Sequence, residues 1–212
     1  MKDLVIIGGG GHAKNVLSVA MATGFNVIGI LDDDAIKVGA KILGVPVIGS
    51  TNLLRKGIFE RAVIAVGDNK KRQSIAETYS DLCEWATLIH PQSIVHSTCY
   101  INEGTVIVCG AVIQPDAIVG KHCIIGISAS LSHDCFLGDF VHIAPGVRLT
   151  GGVKVEEGAF VGAGAVVIPQ RTVGEWSVVG AGAVVIKDVR PYSKVAGVPA
   201  REIGSVDSNK EE

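Results

Sequence analysis

Aromatic rings are scarce in this chain: Phe, Trp and Tyr make up 5% of its 212 residues, while hydrophobic residues of all kinds reach 48%. An interior filled by Val, Ile, Leu and Ala packs as a narrow, regular core rather than around large rings. A surplus of one charge is missing too. The net charge is −2 and the basic residues are scattered, which excludes the concentrated positive face that nucleic acid or an anionic membrane surface demands. No apolar run approaches the roughly 20 residues that cross a bilayer. The five cysteines, Cys83, Cys99, Cys109, Cys123 and Cys135, are odd in number and contain no C-x-x-C pair, so they fit neither a disulfide framework nor a zinc knuckle. The chain enters a strand within a few residues of Met1, without a charged leader, apolar stretch and cleavage site in sequence, so no secretory signal is expected. These absences point to a reduced, cytoplasmic protein working on small molecules, without nucleic-acid partners or membrane insertion.

Two periods divide what is there. Leu4 to Ile7 is a short aliphatic run; glycines follow, then Ala13, Val16, Leu17 and Ala20 at helical spacing, then a second run from Val27 to Leu31. That is a βαβ unit. Ala62 to Val66 reads as another buried strand, and Asp68 or Asn69 can cap a helix carrying Ile75, Ala76, Tyr79 and Leu82 on one face. From Val95 the period becomes six and stays so through Val185: sixteen consecutive positions are aliphatic, and the position four residues after each is small or β-branched at every step but Arg171. The pattern predicts a parallel β-helix, each unit forming one flat face with its aliphatic residue inward and its small residue at the crowded corner. Three units close a coil of eighteen residues. The expected organisation is an α/β domain over 1–84, a small parallel Rossmann-like sheet, and a β-helix domain with a C-terminal tail over 85–212. Cys99, Cys123 and Cys135 fall at small inward positions and are read as packing residues. A bulge or loop is expected at Arg171.

A β-helix as such is a scaffold, so chemistry must lie where its plainness breaks. The best candidate is Ser132-His133-Asp134. His133 falls two places after inward Leu131 and projects outward; one coil later Gly151 and Gly152 leave open space and backbone N–H groups beside it. Acyl transfer from a thioester needs a base for the acceptor proton and donors for the oxyanion. His133 supplies the base, Asp134 an orienting carboxylate, and a backbone N–H near Gly151, or His142, the oxyanion donor. His142 is half a coil from His133 and lies on another face, so the two meet only across a subunit interface, as in a trimer. The plain alternative is a pair of surface histidines on a solenoid. His90, His96 and His122 read as solvated entry or turn residues. A zinc hydratase using His122, His133 and His142 is disfavoured, since offsets of eleven and nine do not stack ligands one coil apart; no metal is expected.

Gly8, Gly10 and Ala13 satisfy G-x-G-x-x-A between a strand and a helix, and Asp32, Asp33 and Asp34 end the second strand at the distance of a ribose-binding acid. Backbone N–H groups at a helix N-terminus cradle the pyrophosphate of a nucleotide sugar as well as that of a dinucleotide. The chain offers no evident hydride-transfer partner and commits the rest of its length to the β-helix, which favours the nucleotide sugar.

Gly8-Gly9-Gly10-Gly11-His12, Leu31-Asp32-Asp33-Asp34, Ile64-Ala65-Val66-Gly67-Asp68-Asn69, Leu88-Ile89-His90-Pro91, Ser132-His133-Asp134-Cys135 and Ala196-Gly197-Val198-Pro199-Ala200-Arg201 together resemble the bacterial sugar acetyltransferases, which include sialic acid O-acetyltransferases and UDP-4-amino-sugar N-acetyltransferases. The resemblance spans the chain almost end to end. It implies a left-handed coil and a homotrimer with acetyl-CoA in the cleft between neighbouring β-helices. His133 would be the base, with His142 and Gly151 near the thioester, Ala163 and Ala181 along the coenzyme, and Gly197 to Arg201 over its far end. Gly10, His12, Asp32, Asp33, Gly67 and Asn69 would hold the nucleotide sugar. Some members carry Glu where this chain has Asp134. The reaction implied is acetylation of the 4-amino group of a UDP- or GDP-linked deoxyamino sugar for surface glycans. O-acetylation of a sialic acid, a non-catalytic nucleotide-binding scaffold and the zinc hydratase are its rivals.

Overall fold

In a computed structural model, which describes residues 2–206, the change of period is a change of architecture. The N-terminal sheet has the order β3-β4-β2-β1-β5-β6, from β1 (Asp3–Ile7), β2 (Asn26–Leu31), β3 (Lys41–Ile42), β4 (Val45–Gly49), β5 (Arg61–Ile64) and β6 (Glu84–Trp85). All pairs are parallel except the β3–β4 hairpin at one edge. Helix α1 (Ala13–Ala22) buries Ala13, Val16, Leu17, Val19 and Ala20, the predicted stripe plus one. Helix α2 (Asn69–Thr78) starts where Asp68 accepts the Lys71 N–H at 2.7 Å, a side-chain cap. Its body is polar, and Arg72 and Ala76 are its buried residues.

Seventeen two-residue strands, β7 (Leu88–Ile89) to β23 (Val184–Val185), follow at six-residue spacing. They stack into three parallel faces, pairing Ile107 with Ile125, Ile113 with Leu131 and Val119 with Leu137, a coil of eighteen residues on each face. The inward aliphatics are sealed from Ile107 onward, and each is worth about 1.5–3 kcal/mol relative to exposure. Cys123 and Cys135 are buried among them, with burial pushing their thiols up to about 12 and about 11. The last coil is capped by β24 (Ser193–Ala196) and the antiparallel β25 (Arg201–Ser205). Residues 207–212 of the expected C-terminal tail lie outside the described residues.

No bulge occurs at Arg171. The Lys154 N–H donates to the Arg171 carbonyl at 2.9 Å, and Thr172–Val173 pairs with Lys154–Val155 in unbroken register. The side chain escapes the interior instead: its Nε donates to the Pro169 carbonyl at 3.3 Å and its guanidinium reaches Asp188 at 3.7 Å. A long stem carrying its charge outward resolves locally what a short polar residue would resolve by bending the chain.

The two domains share their cores. Val16, Leu17 and Ala20 of α1 cluster with Leu88, Val106 and Val108 on the first face of the coil, while Val5, Ile7, Tyr79 and Trp85 cluster with Phe140. Between these patches lies Arg72, 1% exposed. Its Nε donates to the His122 carbonyl at 2.8 Å, and Nη2 donates to the Phe140 carbonyl at 2.7 Å and to Asn69 Oδ1 at 2.8 Å. Nη1 donates to the carbonyls of Val66 and Gly67 at 3.0 and 3.2 Å. Among the described residues no carboxylate touches it. Burial lowers the Arg72 pKa to about 10, which leaves it charged at neutral pH.

His122 is not a solvated turn residue. It is 4% exposed, stacked on Phe140 with ring centroids 5.4 Å apart and edge-on to Trp85 at 5.0 Å. One coil below it, a Cβ on Gly104 would come within 2.2 Å of its Nδ1, so a glycine there makes room for the ring. Burial pushes its pKa down to about 4.

Arg72→Met removes every one of these hydrogen bonds and leaves buried carbonyls of the coil unpaired, at a cost on the order of 3 kcal/mol. Urea denaturation should show that loss, and Arg72→Lys should recover little of it, because one ammonium cannot reach acceptors on both domains. The unfolded His122 titrates near 6.5 and the folded one near 4, so between those values the unfolded chain alone takes up the proton. Stability from this residue is complete above about pH 6.5 and is lost progressively as pH falls toward 4. The drop in denaturation midpoint between pH 7 and pH 5 should therefore be smaller in His122→Phe, which keeps the stack and cannot titrate.

Candidate active site

His133 stands on the edge between the second and third faces. At successive levels of this edge Asp116, Asp134, Gly152 and Gln170 all have positive φ, between 59° and 68°. Asp and Gly adopt that conformation readily, and the turn tips the preceding side chain out of the coil. The Asp134 N–H donates to the Pro115 carbonyl at 3.1 Å and the Gly152 N–H to the His133 carbonyl at 3.0 Å, so the backbone carrying the imidazole is tied to the coils on either side. His133 Nδ1 lies 2.7 Å from Asp134 Oδ2, which assigns the Nδ1 proton to the shared hydrogen bond and leaves Nε2 as the basic nitrogen. The aspartate spans the gap with its short side chain. A Cβ on Gly151 would sit 2.7 Å from both Cε1 and Nε2 of His133, so the ring lies directly against that glycine. Both His133 and Asp134 are exposed, with 63% and 65% of their side chains open.

A second group forms on the first face, against the N-terminal domain. His142 faces His12 of the glycine loop, ring centroids 6.3 Å apart, and its Nδ1 is 3.2 Å from the Gly67 carbonyl. Burial, then the Arg72 charge, lowers the pKa of both histidines to about 4. The N–H groups of Gly10, Gly11 and His12 have no backbone partner among the described residues, and space is open around Gly10 and Gly11. Those are the features of an anion cradle at a helix N-terminus.

The acids and amide expected to meet a nucleotide sugar are largely occupied. Asp32 accepts the Gly9 N–H at 2.7 Å, the Asp34 N–H at 2.9 Å and Lys37 Nζ at 3.0 Å. Burial works against its charge, but these donors hold its carboxyl below the usual range. Asp33 Oδ1 accepts the backbone N–H and the hydroxyl of Thr51, both at 2.8 Å. Asn69 donates to the carbonyls of Gly158 and Ala159 at 2.9 and 3.2 Å while accepting from Arg72, so its amide rivets α2 to the coil. Asp32 and Asn69 shape the site; exposed Asp33 retains its second carboxylate oxygen.

Ala163 and Ala181 lie one coil apart on the edge between the first and second faces, exposed and linked by the Gly182 N–H donating to the Ala163 carbonyl at 2.8 Å. Gly197 accepts from Val184 at 3.0 Å at the top of that side. Arg201 begins the last strand, exposed, with its Nη1 donating to its own neighbour's carbonyl, Ala200, at 2.9 Å. Thus Ala163, Ala181 and Gly197 share one side of the prism, His142 meets the N-terminal domain on the adjoining face, and His133 with Gly151 occupies a different edge.

Sequence reasoning missed a cleft of about 340 Å³ above His142, lined among others by Lys70, Phe160, Trp176 and Lys194. Phe160 stands edge-on to His142 at 5.1 Å. The eighteen-residue stacking step from His142 gives Phe160, so counting coils outward from a candidate histidine would have found that wall. The histidines of the hydratase alternative do not converge: His122 is sealed in its aromatic stack, and His133 and His142 are on separate sides.

Residues 3–79 match the family described as PglD N-terminal domain, and residues 152–187 match bacterial transferase hexapeptide (six repeats). Over 110 residues, half of this chain, the sequence is 40% identical to UDP-N-acetylbacillosamine N-acetyltransferase of Bacillus subtilis. The chain spans about half or less of the curated relatives it matches, 51% of that enzyme and 20% of another. Solved structures align along nearly the whole length. PerB from Caulobacter crescentus, in complex with CoA and GDP-perosamine, is 39% identical with a TM-score of 0.90, covering 96% of this chain and 98% of its own. The acetyltransferase domain of PglB from Neisseria gonorrhoeae is 36% identical with a TM-score of 0.89, covering 96% and 100%. With its glycine loop, its His-bearing hexapeptide coil and its end-to-end likeness to these proteins, the chain belongs to the bacterial sugar acetyltransferases built on hexapeptide repeats.

Proposed function

We propose that the protein moves the acetyl group of acetyl-CoA to the 4-amino group of a UDP- or GDP-linked deoxyamino sugar, in the cytoplasm, as a step in building surface glycans. The observation that carries this reading is His133: an outward imidazole with a basic Nε2, oriented by Asp134 and seated against a glycine, on an otherwise plain scaffold. The likeness to PerB, solved with CoA and GDP-perosamine, supports the choice of both substrates.

His133 Nε2 takes a proton from the amine as its nitrogen attacks the thioester carbonyl. The Gly151 N–H, which makes no backbone hydrogen bond among the described residues, is available to the oxyanion. The C–S bond then breaks, and the imidazolium returns its proton to the departing thiolate, giving amide and free CoA. Asp134 stabilises the imidazolium through Nδ1.

Separation of the groups within one chain favours a homotrimer. His133 of one copy would then complete a site whose remaining walls are His142, Ala163 and Ala181 of its neighbour, with the neighbour's Gly10, His12, Asp33 and Gly67 toward the nucleotide sugar and Gly197 to Arg201 at the end of the coenzyme.

A free-thiol assay against UDP- and GDP-linked amino sugars and free sialic acid tests the reaction. Amino-sugar-dependent CoA release is expected, and consumption driven by sialic acid alone would replace this reading with O-acetylation. His133→Ala should lower kcat by about 10²–10⁴-fold. Gly151→Ala should lower kcat without changing the melting temperature, since the atoms nearest its methyl belong to the exposed imidazole, which can be displaced into solvent. Co-expressing His133→Ala with His142→Ala tests the shared site: random trimers carry roughly a quarter of their sites with both histidines intact and regain activity in proportion. Activity no higher than that of the single variants would place both histidines in a one-chain site.

A further inference from the structure

His142 presents a lone pair rather than a proton to the site. The Gly67 carbonyl is an acceptor only, so the 3.2 Å contact with His142 Nδ1 requires the proton on Nδ1; with Nδ1 bare, two lone pairs would face each other. The same carbonyl accepts Arg72 Nη1 at 3.2 Å, which uses both of its lone pairs and holds it in place. Burial keeps the ring neutral at pH 7. His142 Nε2 has no hydrogen-bond partner among the described residues. An oxyanion cannot be held by an atom whose lone pair points at it, so the role of oxyanion donor that the spacing left open for His142 does not fit this tautomer.

We propose that His142 is a hydrogen-bond acceptor for the substrate, its Nε2 receiving one N–H of the acceptor amine, and that this selects amines over alcohols. The inference rests on the acetyl-transfer reading above and deepens it. A neutral primary amine carries two N–H bonds and one lone pair. With one N–H directed to His142 Nε2 and the other to His133 Nε2, the lone pair is left to attack the thioester carbon. The second proton moves to His133 as the C–N bond forms and C–S breaks; the first stays on nitrogen in the product amide. A hydroxyl has one proton for two acceptors. Held by His142 it withholds that proton from the base, and the analogue binds without reacting. His12, the other imidazole of this space, has its Nε2 sealed from solvent without a partner, so it is not the group that meets the acceptor.

Nitrogen-15 NMR of the full chain, labelled at histidine, reads the tautomer directly, with His142 assigned by its loss in His142→Asn. A pyrrole-type Nδ1 and a pyridine-type Nε2 are expected at pH 7, with the Nε2 signal shifting when the accepted, unacetylated UDP- or GDP-linked 4-amino sugar is added without acetyl-CoA. A protonated Nε2, or an Nε2 indifferent to that sugar, overturns the proposal. Kinetics supply the second arm. His142→Asn keeps a donor near Gly67 and, being shorter, leaves no acceptor at the position of Nε2, so kcat should fall about 10- to 100-fold while KM for acetyl-CoA is unchanged; undiminished kcat overturns the proposal. The 4-hydroxy analogue of the accepted sugar should inhibit competitively without releasing CoA, and its acetylation at a rate near that of the amine overturns the selectivity. Wild-type protein that acetylates no nucleotide amino sugar overturns the acetyl-transfer reading itself, whereas an active wild type with Nε2 protonated overturns this inference alone.

Discussion

One guanidinium joins the two halves of this molecule. Arg72 is buried without a counter-ion in contact among the described residues and is solvated by carbonyl oxygens of Val66, Gly67, His122 and Phe140 and by the amide of Asn69. Burying a lone charge is costly unless its donors are satisfied. Here they are satisfied only when the loop after β5 and two consecutive levels of one edge of the coil stand in one arrangement. The apolar patches on either side supply most of the area removed from water, but they are non-directional. The guanidinium sets the seating, because its fork accepts little sliding.

That seating reaches the chemistry through one atom. The Gly67 carbonyl, shared by Arg72 and His142, carries the position of the N-terminal domain into the protonation pattern of a side chain on the coil. The coil contributes a complementary rigidity. Its eighteen-residue step places Gly151 one coil above His133 and Phe160 one coil above His142 by the same translation that stacks Ile125 on Ile107. Exposed Ala163 and Ala181 stand one coil apart on another edge by the same step.

The regular parts of this design were legible in the residues, and the irregular parts were not, for a physical reason. The six-residue period reports burial directly, so the coil, its three faces and the inward cysteines followed from spacing. Ser132-His133-Asp134 stood out because polar residues on a plain scaffold have few structural uses. Arg72 did not stand out, since a lone arginine in the helix segment Asn69–Thr78 with Lys70 and Lys71 beside it looks like a solvated face. Its burial is a property of the docked domain, and docking leaves no periodic trace. His122 was misread for the same reason: its neighbours Trp85 and Phe140 come from another domain and another coil. Gly104 beneath it was the one local signal. At Arg171 the composition broke the repeat while the backbone did not, because a long side chain can leave the core by itself.

The candidate nucleotide-sugar residues show how a pattern can locate a site without assigning its contacts. Asp32 stands at a ribose acid's distance from the glycines, yet both its oxygens are taken: Oδ2 accepts from Gly9 and Lys37, fastening the glycine loop to the end of β2, and Oδ1 accepts the Asp34 N–H. Such a carboxylate acts on a ligand by fixing the cradle. Among the described residues, the groups left free to touch one include the backbone N–H donors of Gly10, Gly11 and His12 and the second oxygen of Asp33. Backbone donors read phosphates and are indifferent to the base they carry. In the reaction proposed above, selection therefore falls on the sugar end, where the protons of the acceptor would meet two imidazoles. An ordinary scaffold and a general-purpose phosphate cradle become specific there, since counting N–H against O–H bonds is a distinction that two fixed lone pairs can make.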